Sequence, residues 1–350
     1  MPDAARARYL VKAAIAGALY ATGLLGLWLR WSFRGRAVVL MYHRVLPPGD
    51  AAATWSHPGI VVECDTFARQ MAALRRYFDV LSPDAFIAHI EARRPFGRPA
   101  CLVTFDDGWI DNYTHAWPIL REQAVPAIIF LPTAFIDTGA MFWQERLKAL
   151  LAAAVRAARG DAGIGAAIRQ RLTTEGLATL LDVPEAGLRT AVMDAVHARK
   201  DGGVDGSTAL IDALASLLSA QPASDSPDAF MSWAMVREMA AGGITFGAHG
   251  VSHRLMTAIE LDDARRELAA AREEIAARGG AAPRTFSYPN GNWNPAVAEA
   301  VRYTGYAAAF TTAEHAVTPT DDVATIGRVN IHQDATAHVP TFLARICGAA

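Results

Sequence analysis

Two carboxylates stand side by side in the stretch V-T-F-D-D-G-W-I-D-N, at Asp106 and Asp107, after an apolar run and before a glycine. Adjacent like charges disfavour each other's ionised form, so burying both is costly unless a cation or a shared proton compensates. A second polar group follows another apolar run in G-A-H-G-V-S-H-R, where His249 and His253 lie four residues apart. On a helical turn that spacing puts both imidazoles on one face. Two histidines with one carboxylate make a frequent catalytic zinc set that leaves a coordination position for water. Asp107, His249 and His253 can therefore hold a divalent cation, Zn2+ first among candidates, whose charge offsets the carboxylate repulsion. Asp106, beside them, is placed to take a proton from an activated water. A D-D pair alone is more often a cap or turn, and H-x-x-x-H alone is often surface decoration. Both occurring at strand ends, each next to a glycine, is far more specific.

The elements that must carry these residues are short and apolar. Strands are expected at 37–42, 78–81, 101–105, 127–131, 244–248, 285–288, 307–311 and 326–331. Near-continuous apolar runs suit strands covered on both faces, as in a parallel sheet. Helices fall between them. Asp65 is expected to cap a helix with Phe67, Met71, Leu74 and Phe78 on one face, and Ser82-Pro83 reads as a cap followed by proline at the first helical position. The run L-D-D-A-R-R-E-L through R-G-G puts acids early, arginines late and glycines at the end. Alternating strands and helices favour a (β/α) barrel, whose reactive groups stand at the carboxyl ends of the strands.

Composition narrows the class. At 350 residues, one barrel fits with about a hundred residues left over. A net charge of -2 and 19% charged residues argue against a nucleic-acid partner and against a disordered acidic tail. Cys64, Cys101 and Cys347 form no C-x-x-C pair and read as small core residues.

Two segments stand outside the barrel pattern. From Ala13 to Leu29 the chain is uncharged, with Arg6, Arg8 and Lys12 before it and Arg30, Arg34 and Arg36 after. That is the lower limit for a spanning helix, so a hydrophobic anchor helix or a surface-lying one is expected, with membrane association through residues 9–31. Flanking basic residues at both ends leave its orientation open. From Met141 to about Ala229 the sequence is helical in pattern and closes on Q-P-A-S-D-S-P-D. It reads as a helical insertion, either shaping substrate access or decorating the fold. The expected organisation is thus an N-terminal helix at 1–36, a barrel at 37–140 and 230–350, and the insertion at 141–229.

The motifs T-F-D-D-G (104–108), H-G-V-S-H (249–253) and F-S-Y-P-N-G (286–291) resemble those of the polysaccharide deacetylases, the NodB-homology or carbohydrate esterase family 4 group. The resemblance covers about 37 to 346 apart from the insertion. It implies a distorted (β/α)7, TIM-like barrel and metal-dependent removal of acetyl groups from N-acetylhexosamine units of a polysaccharide, an exopolysaccharide or its precursor. It also implies that Asp106 is the base and that Asp107, His249 and His253 bind the metal.

The third motif departs from the commoner form, because Arg284 lies five residues before Pro289 and Asn290 stands where the family often has tyrosine. Tyr288, Pro289 and Asn290 are expected to bind substrate and oxyanion through a backbone N–H. Arg284 is a candidate for tuning Asp106, and Arg328 either pairs with an active-site carboxylate to the same effect or closes the barrel. The general acid comes either from L-M-Y-H-R-V, as His43, in the manner of poly-N-acetylglucosamine deacetylases, or from R-V-N-I-H-Q-D, as His332. His43 is preferred because it directly follows the first expected strand. Trp109, Trp143 and Trp293 are candidates for stacking on sugar faces. Two other readings stay open: a deformylase or deacetylase of a lipid-linked sugar, and an inactive glycan binder. The expected location is a bacterial inner membrane on either side, with the cytoplasm as the alternative.

Overall fold

The computed structural model describes residues 3–160, 162–199, 205–219 and 228–349. The strands are β1 (Ala37–Tyr42), β2 (Arg44–Leu46), β3 (Val61–Glu63), β4 (Asp79–Val80), β5 (Ala100–Phe105), β6 (Ala127–Leu131), β7 (Thr245–Ala248), β8 (Thr285–Ser287), β9 (Ala308–Phe310) and β10 (Val329–Asn330). Their apolar composition leaves β1, β5 and β6 buried along their whole length, which only a sheet covered on both faces permits. The main sheet runs β10-β1-β5-β6-β7-β8-β9 with β4 also on β5, and every pairing is parallel. Ile326 bridges to Phe310 of β9, and three residues later Val329 pairs with Leu40 of β1. The two ends of the curled sheet are joined by that segment, as a distorted (β/α)7 barrel requires.

The strand ladder continues one residue past the ends of several strands. The Asp106 N–H donates to Tyr42 O at 3.0 Å, His249 N–H to Leu131 O at 2.9 Å, and Ile331 N–H to Met41 O at 3.0 Å. Asp106, His249 and Ile331 are therefore held by the ladder of the strands they follow. β2 and β3 form a separate two-stranded parallel sheet that sequence pattern did not reveal, being three residues each.

Helix punctuation follows the expectations with two changes. Ser82 caps Pro83–Glu91 by accepting from the Ala85 N–H at 3.2 Å, and Leu261–Gly279 ends on Gly280 at φ 97. Asp65 is not the cap of the helix Cys64–Tyr77; Glu63 holds that position and Asp65 lies in the first turn, where its charge still meets the helix dipole favourably. The expected single N-terminal helix is two helices, α1 (Asp3–Ala21) and α2 (Leu24–Ser32), bent by 92°. The break falls at Thr22-Gly23, with Gly23 in the left-handed region at φ 75. No single helix among the described residues is long and apolar enough to cross a membrane.

The chain divides into two compact units, the first comprising residues 1–52, 58–138 and 230–350 and the second 53–57 and 139–229. The second is helical, with Trp143–Gly160, Ala162–Thr174, Glu185–His197 and Asp205–Leu218 sharing a core of Leu147, Leu151, Leu172, Leu188, Val192 and Leu214. Most of its closing polar stretch, residues 221–227, lies outside the described residues. The three cysteines are unpaired; Cys101 and Cys347 are buried and Cys64 is half-buried.

Candidate active site

Asp106 directly follows β5 in the first unit's barrel and is 3% exposed. Arg328, fully buried, lays its guanidinium across the carboxylate with Nη1–Oδ1 and Nη2–Oδ2 both at 2.7 Å. The same guanidinium donates to Thr311 O at 3.0 Å, Thr104 Oγ1 at 3.3 Å and Ser287 Oγ at 2.9 Å. It also lies over the rings of Phe130 and Phe310, at 5.7 and 6.0 Å from their centroids. Burial works to raise the Asp106 pKa, but Arg328, with help from His249 and His43, more than offsets it and holds the carboxyl below the ordinary carboxylate range. Asp106 is an ionised carboxylate at neutral pH.

Asp107 is turned elsewhere by its backbone. It sits at φ 77 and Gly108 follows at φ 68, two successive left-handed residues. Asp tolerates this region and glycine adopts it freely. Gly108 has no room for a side chain in any case, because a Cβ there would lie 2.7 Å from Leu131 Cδ2. The turn separates the adjacent carboxylates: Asp106 meets Arg328, whereas Asp107 Oδ1 lies 3.6 Å from His249 Nε2 and 3.3 Å from His253 Nε2. One ligand atom from each of Asp107, His249 and His253 falls within 4.8 Å of the others.

The histidine spacing is not a helical turn. Gly250 at φ 78 and His253 at φ 56 curl the loop after β7, leaving the two imidazole centroids 4.9 Å apart. Glu267 braces that loop, accepting from the N–H groups of Val251 at 2.6 Å and Ser252 at 2.9 Å and from the Ser252 hydroxyl at 2.5 Å.

The donor chemistry fits a divalent cation. His249 Nδ1 pairs with Ser287 O at 2.7 Å, which makes Nδ1 the protonated nitrogen and leaves Nε2 as a lone-pair donor toward Asp107. Burial lowers the His249 pKa to about 4, so its imidazole is neutral, as a metal ligand must be. The second oxygen of Asp107 is held by the Trp109 indole N–H at 3.0 Å. Trp109 is in turn stacked on Phe230, with centroids 4.5 Å apart, and covered by the Arg44 guanidinium at 4.3 Å, itself paired with Asp111 at 2.8 Å.

The remaining candidates divide. His43 follows β1 and acts electrostatically on both Asp106 and Asp107, and its buried Nδ1 has no hydrogen-bond partner among the described residues. The charges that act on His332 are instead Asp334, Arg345 and Glu314. Arg284 is not beside Asp106: it is half-exposed and pairs with Asp84 at 2.8 Å and Glu91 at 3.5 Å. Preceding β8 puts it at the opposite end of that strand from the carboxylates, and Arg328 holds the position beside Asp106. Tyr288 is buried, with its hydroxyl donating to Ala324 O at 2.9 Å and its N–H to Phe310 O at 3.0 Å, so neither group is left for a ligand. Pro289 has no N–H, which leaves that of Asn290, at φ 56, as the donor in this trio. Trp109 is 1% exposed and serves Asp107 rather than a sugar face, whereas Trp293 is exposed. Trp143, in the second unit, is partly buried against that unit's core.

Sequence reasoning missed Ser287, Glu267 and the part played by Trp109. Trp109, two residues from Asp107, and Ser287, within the third motif, both stood where a motif could have drawn attention to them, whereas Glu267 did not.

Residues 207–309 match the polysaccharide deacetylase family profile, a segment that contains His249, His253 and Asn290 but neither Asp106 nor Arg328. YxkH of Bacillus subtilis, whose name assigns it provisionally to the polysaccharide deacetylases, is 26% identical over 123 residues, 35% of this chain. The match spans 40% of that relative's length. Among solved structures, the deacetylase PplD of Streptococcus pyogenes has a TM-score of 0.56 at 16% identity, covering 89% of this chain and 98% of that one. IcaB of Ammonifex degensii has a TM-score of 0.55 at 19% identity, covering 88% and 97%. A de-N-acetylase from Aggregatibacter actinomycetemcomitans has a TM-score of 0.52 at 15% identity, covering 89% and 99%. At such identities the likeness is one of fold. Residues 207–309 thus resemble the polysaccharide deacetylase family in sequence, and the chain is folded like the deacetylases named above.

Proposed function

We propose that this chain is a metal-dependent carbohydrate deacetylase that hydrolyses the N-acetyl groups of N-acetylhexosamine units in a polysaccharide, an exopolysaccharide or its precursor. The observation that carries the reading is the division of two adjacent carboxylates, Asp106 forked by Arg328 and Asp107 facing two imidazoles. A binding protein has no need of an ionised base and a ligand triad side by side.

Asp107, His249 and His253 would hold the cation, with Zn2+ best suited to two imidazoles and one carboxylate. When bound, it supplies a positive charge that polarises the amide carbonyl and lowers the pKa of an attacking water toward about 7. Asp106 accepts the proton as the water oxygen adds to the carbonyl carbon. The Asn290 N–H stabilises the charge on the carbonyl oxygen. His43 delivers a proton to the nitrogen as the C–N bond breaks, releasing acetate and a free amine. The PplD structure is described in complex with acetate, the product expected here.

The same reading attaches the barrel to a membrane through residues 9–31. The test of the chemistry is acetate release from N-acetylated oligosaccharides, with and without chelator. Asp106→Asn is expected to abolish release while retaining bound metal; unchanged release would end the proposal.

A further inference from the structure

The N-terminal helix pair has a packed face and an unpartnered one. Ala16, Leu25, Leu29 and Phe33 are buried, with Phe33 edge-on to Phe78 and the pair lying against the helices Cys64–Tyr77 and Val339–Cys347. A helix docked on a soluble barrel normally turns a polar face to water. This one does not: Val11 is 59%, Leu27 62% and Trp31 78% exposed, with Leu10, Ile15 and Trp28 also open. Patches of that kind mark interaction surfaces.

The charges around the patch indicate the partner. Arg30, Arg34 and Arg36 are exposed and form no ion pair among the described residues. Arg34 and Arg36 line a recess of about 330 Å³ with Trp28, Trp31 and Ser32. Exposed tryptophans bordered by unpaired guanidiniums match the two layers of an anionic bilayer's surface, apolar acyl chains below and phosphate above. The 92° bend and the buried face on the barrel both oppose a straight crossing of the membrane.

Resting on the membrane reading above and deepening it, we infer that α1 and α2 form an interfacial anchor lying in one leaflet of an anionic bilayer. Leu27 and Trp31 enter the acyl region, while Arg34 and Arg36 contact lipid phosphate.

The test is flotation of the purified full-length chain with vesicles of phosphatidylethanolamine and phosphatidylglycerol, against vesicles of phosphatidylcholine. Binding is expected to be at least about tenfold stronger on the anionic vesicles and to be released by alkaline carbonate. Leu27→Glu with Trp31→Glu should cut binding about tenfold or more on both, and Arg34→Gln with Arg36→Gln on the anionic vesicles alone. All four positions are exposed, so unchanged thermal unfolding and acetate release serve as controls for the fold. No binding to either vesicle would overturn the membrane reading and this inference together. Binding that resists carbonate, or that ignores lipid charge, would overturn this inference alone. A vesicle-free dimer dispersed by Leu27→Glu would assign the face to a second copy instead, and would also overturn it.

Discussion

Arg328 and Asp106 lie 222 positions apart and meet fork to fork, two oxygens on two nitrogens at 2.7 Å each. The guanidinium is wholly buried, so its charge acts on the carboxylate with little screening from water. The pair keeps Asp106 ionised. Its cost is the desolvation of two charges, offset here by further bonds from Arg328 to Thr311, Thr104 and Ser287.

That relationship has a pH consequence. Arg328 holds the Asp106 pKa below the ordinary carboxylate value, so with Asp106 as the proposed base activity is expected to persist as pH falls until that lowered pKa is crossed. Arg328→Lys keeps the charge and loses the fork. The acidic limb of kcat/KM should move to higher pH by about 1 unit, with metal content unchanged. Arg328→Gln leaves a buried carboxylate unpaired and should also destabilise the protein by about 3–5 kcal/mol, read by thermal unfolding. An acidic limb at the same pH in Arg328→Lys would show that the fork does not set the base.

Trp109 offers a different kind of test. Its indole N–H fixes Asp107 Oδ2, while its ring is held by Phe230 and Arg44. Trp109→Phe keeps most of the stacking and deletes the donor. Partners that orient metal ligands typically contribute about 10–100-fold to metal affinity. The variant should bind Zn2+ about tenfold more weakly in competition with a chromophoric chelator, and fold normally by circular dichroism. Unaltered affinity would reduce Trp109 to packing.

How far the sequence could lead is clear from particular residues. Strands β1, β5 and β6 announced themselves because burial on both faces leaves a near-continuous apolar signature, as in A-C-L-V-T-F of β5. The Asp106-Asp107 pair and His249 were legible because each follows such a run just before a glycine, and His253 through its four-residue spacing from His249. Arg328 was legible as a candidate partner of an active-site carboxylate, with closing the barrel as its other reading, because an arginine near a short strand gives no local sign of what it meets 222 positions away. Arg284, nearer to the third motif, drew attention that belonged to Arg328. Glu267 was hidden for another reason: it sits in a helix rich in Glu and Arg, where an acid aimed at a loop looks like any solvated one. The break between α1 and α2 was likewise masked, because glycine is common in apolar helices and Gly23 differs from Gly17 and Gly26 only in its backbone angle.

Glu267 makes the loop after β7 a separable unit of the site. One carboxylate oxygen takes two backbone N–H groups and the other a hydroxyl, holding residues 251–252 and, through them, His253. Glu267→Ala strands those donors and frees a loop whose curl depends on Gly250 and on His253 at positive φ. Metal affinity is expected to fall about tenfold or more, as when other outer supports of ligands are removed. His249 is anchored independently through Ser287 O, so part of the site should survive. Equal affinity for Zn2+ in the variant and the parent would mean that Glu267 only caps a turn.

Identification of the proton donor turns on two histidines in similar settings. His43 and His332 each follow a strand of the same sheet, and each has a buried Nδ1 without a partner among the described residues. They differ in their neighbours: both active-site carboxylates feel His43, whereas His332 answers to Asp334, Arg345 and Glu314. A general acid must reach the leaving nitrogen, which lies where Asp106 and the ligand triad converge. His43→Gln should therefore lower kcat by about 10²–10⁴-fold with metal content and KM little changed. His332→Gln should stay within about threefold of the parent, as expected of a substitution away from the reacting atoms. The discriminating substrate is an N-acetylated amine with an activated leaving group, whose departure needs no protonation. His43→Gln should recover most of its rate on that substrate, and a loss of equal size on both substrates would assign His43 a role other than the acid.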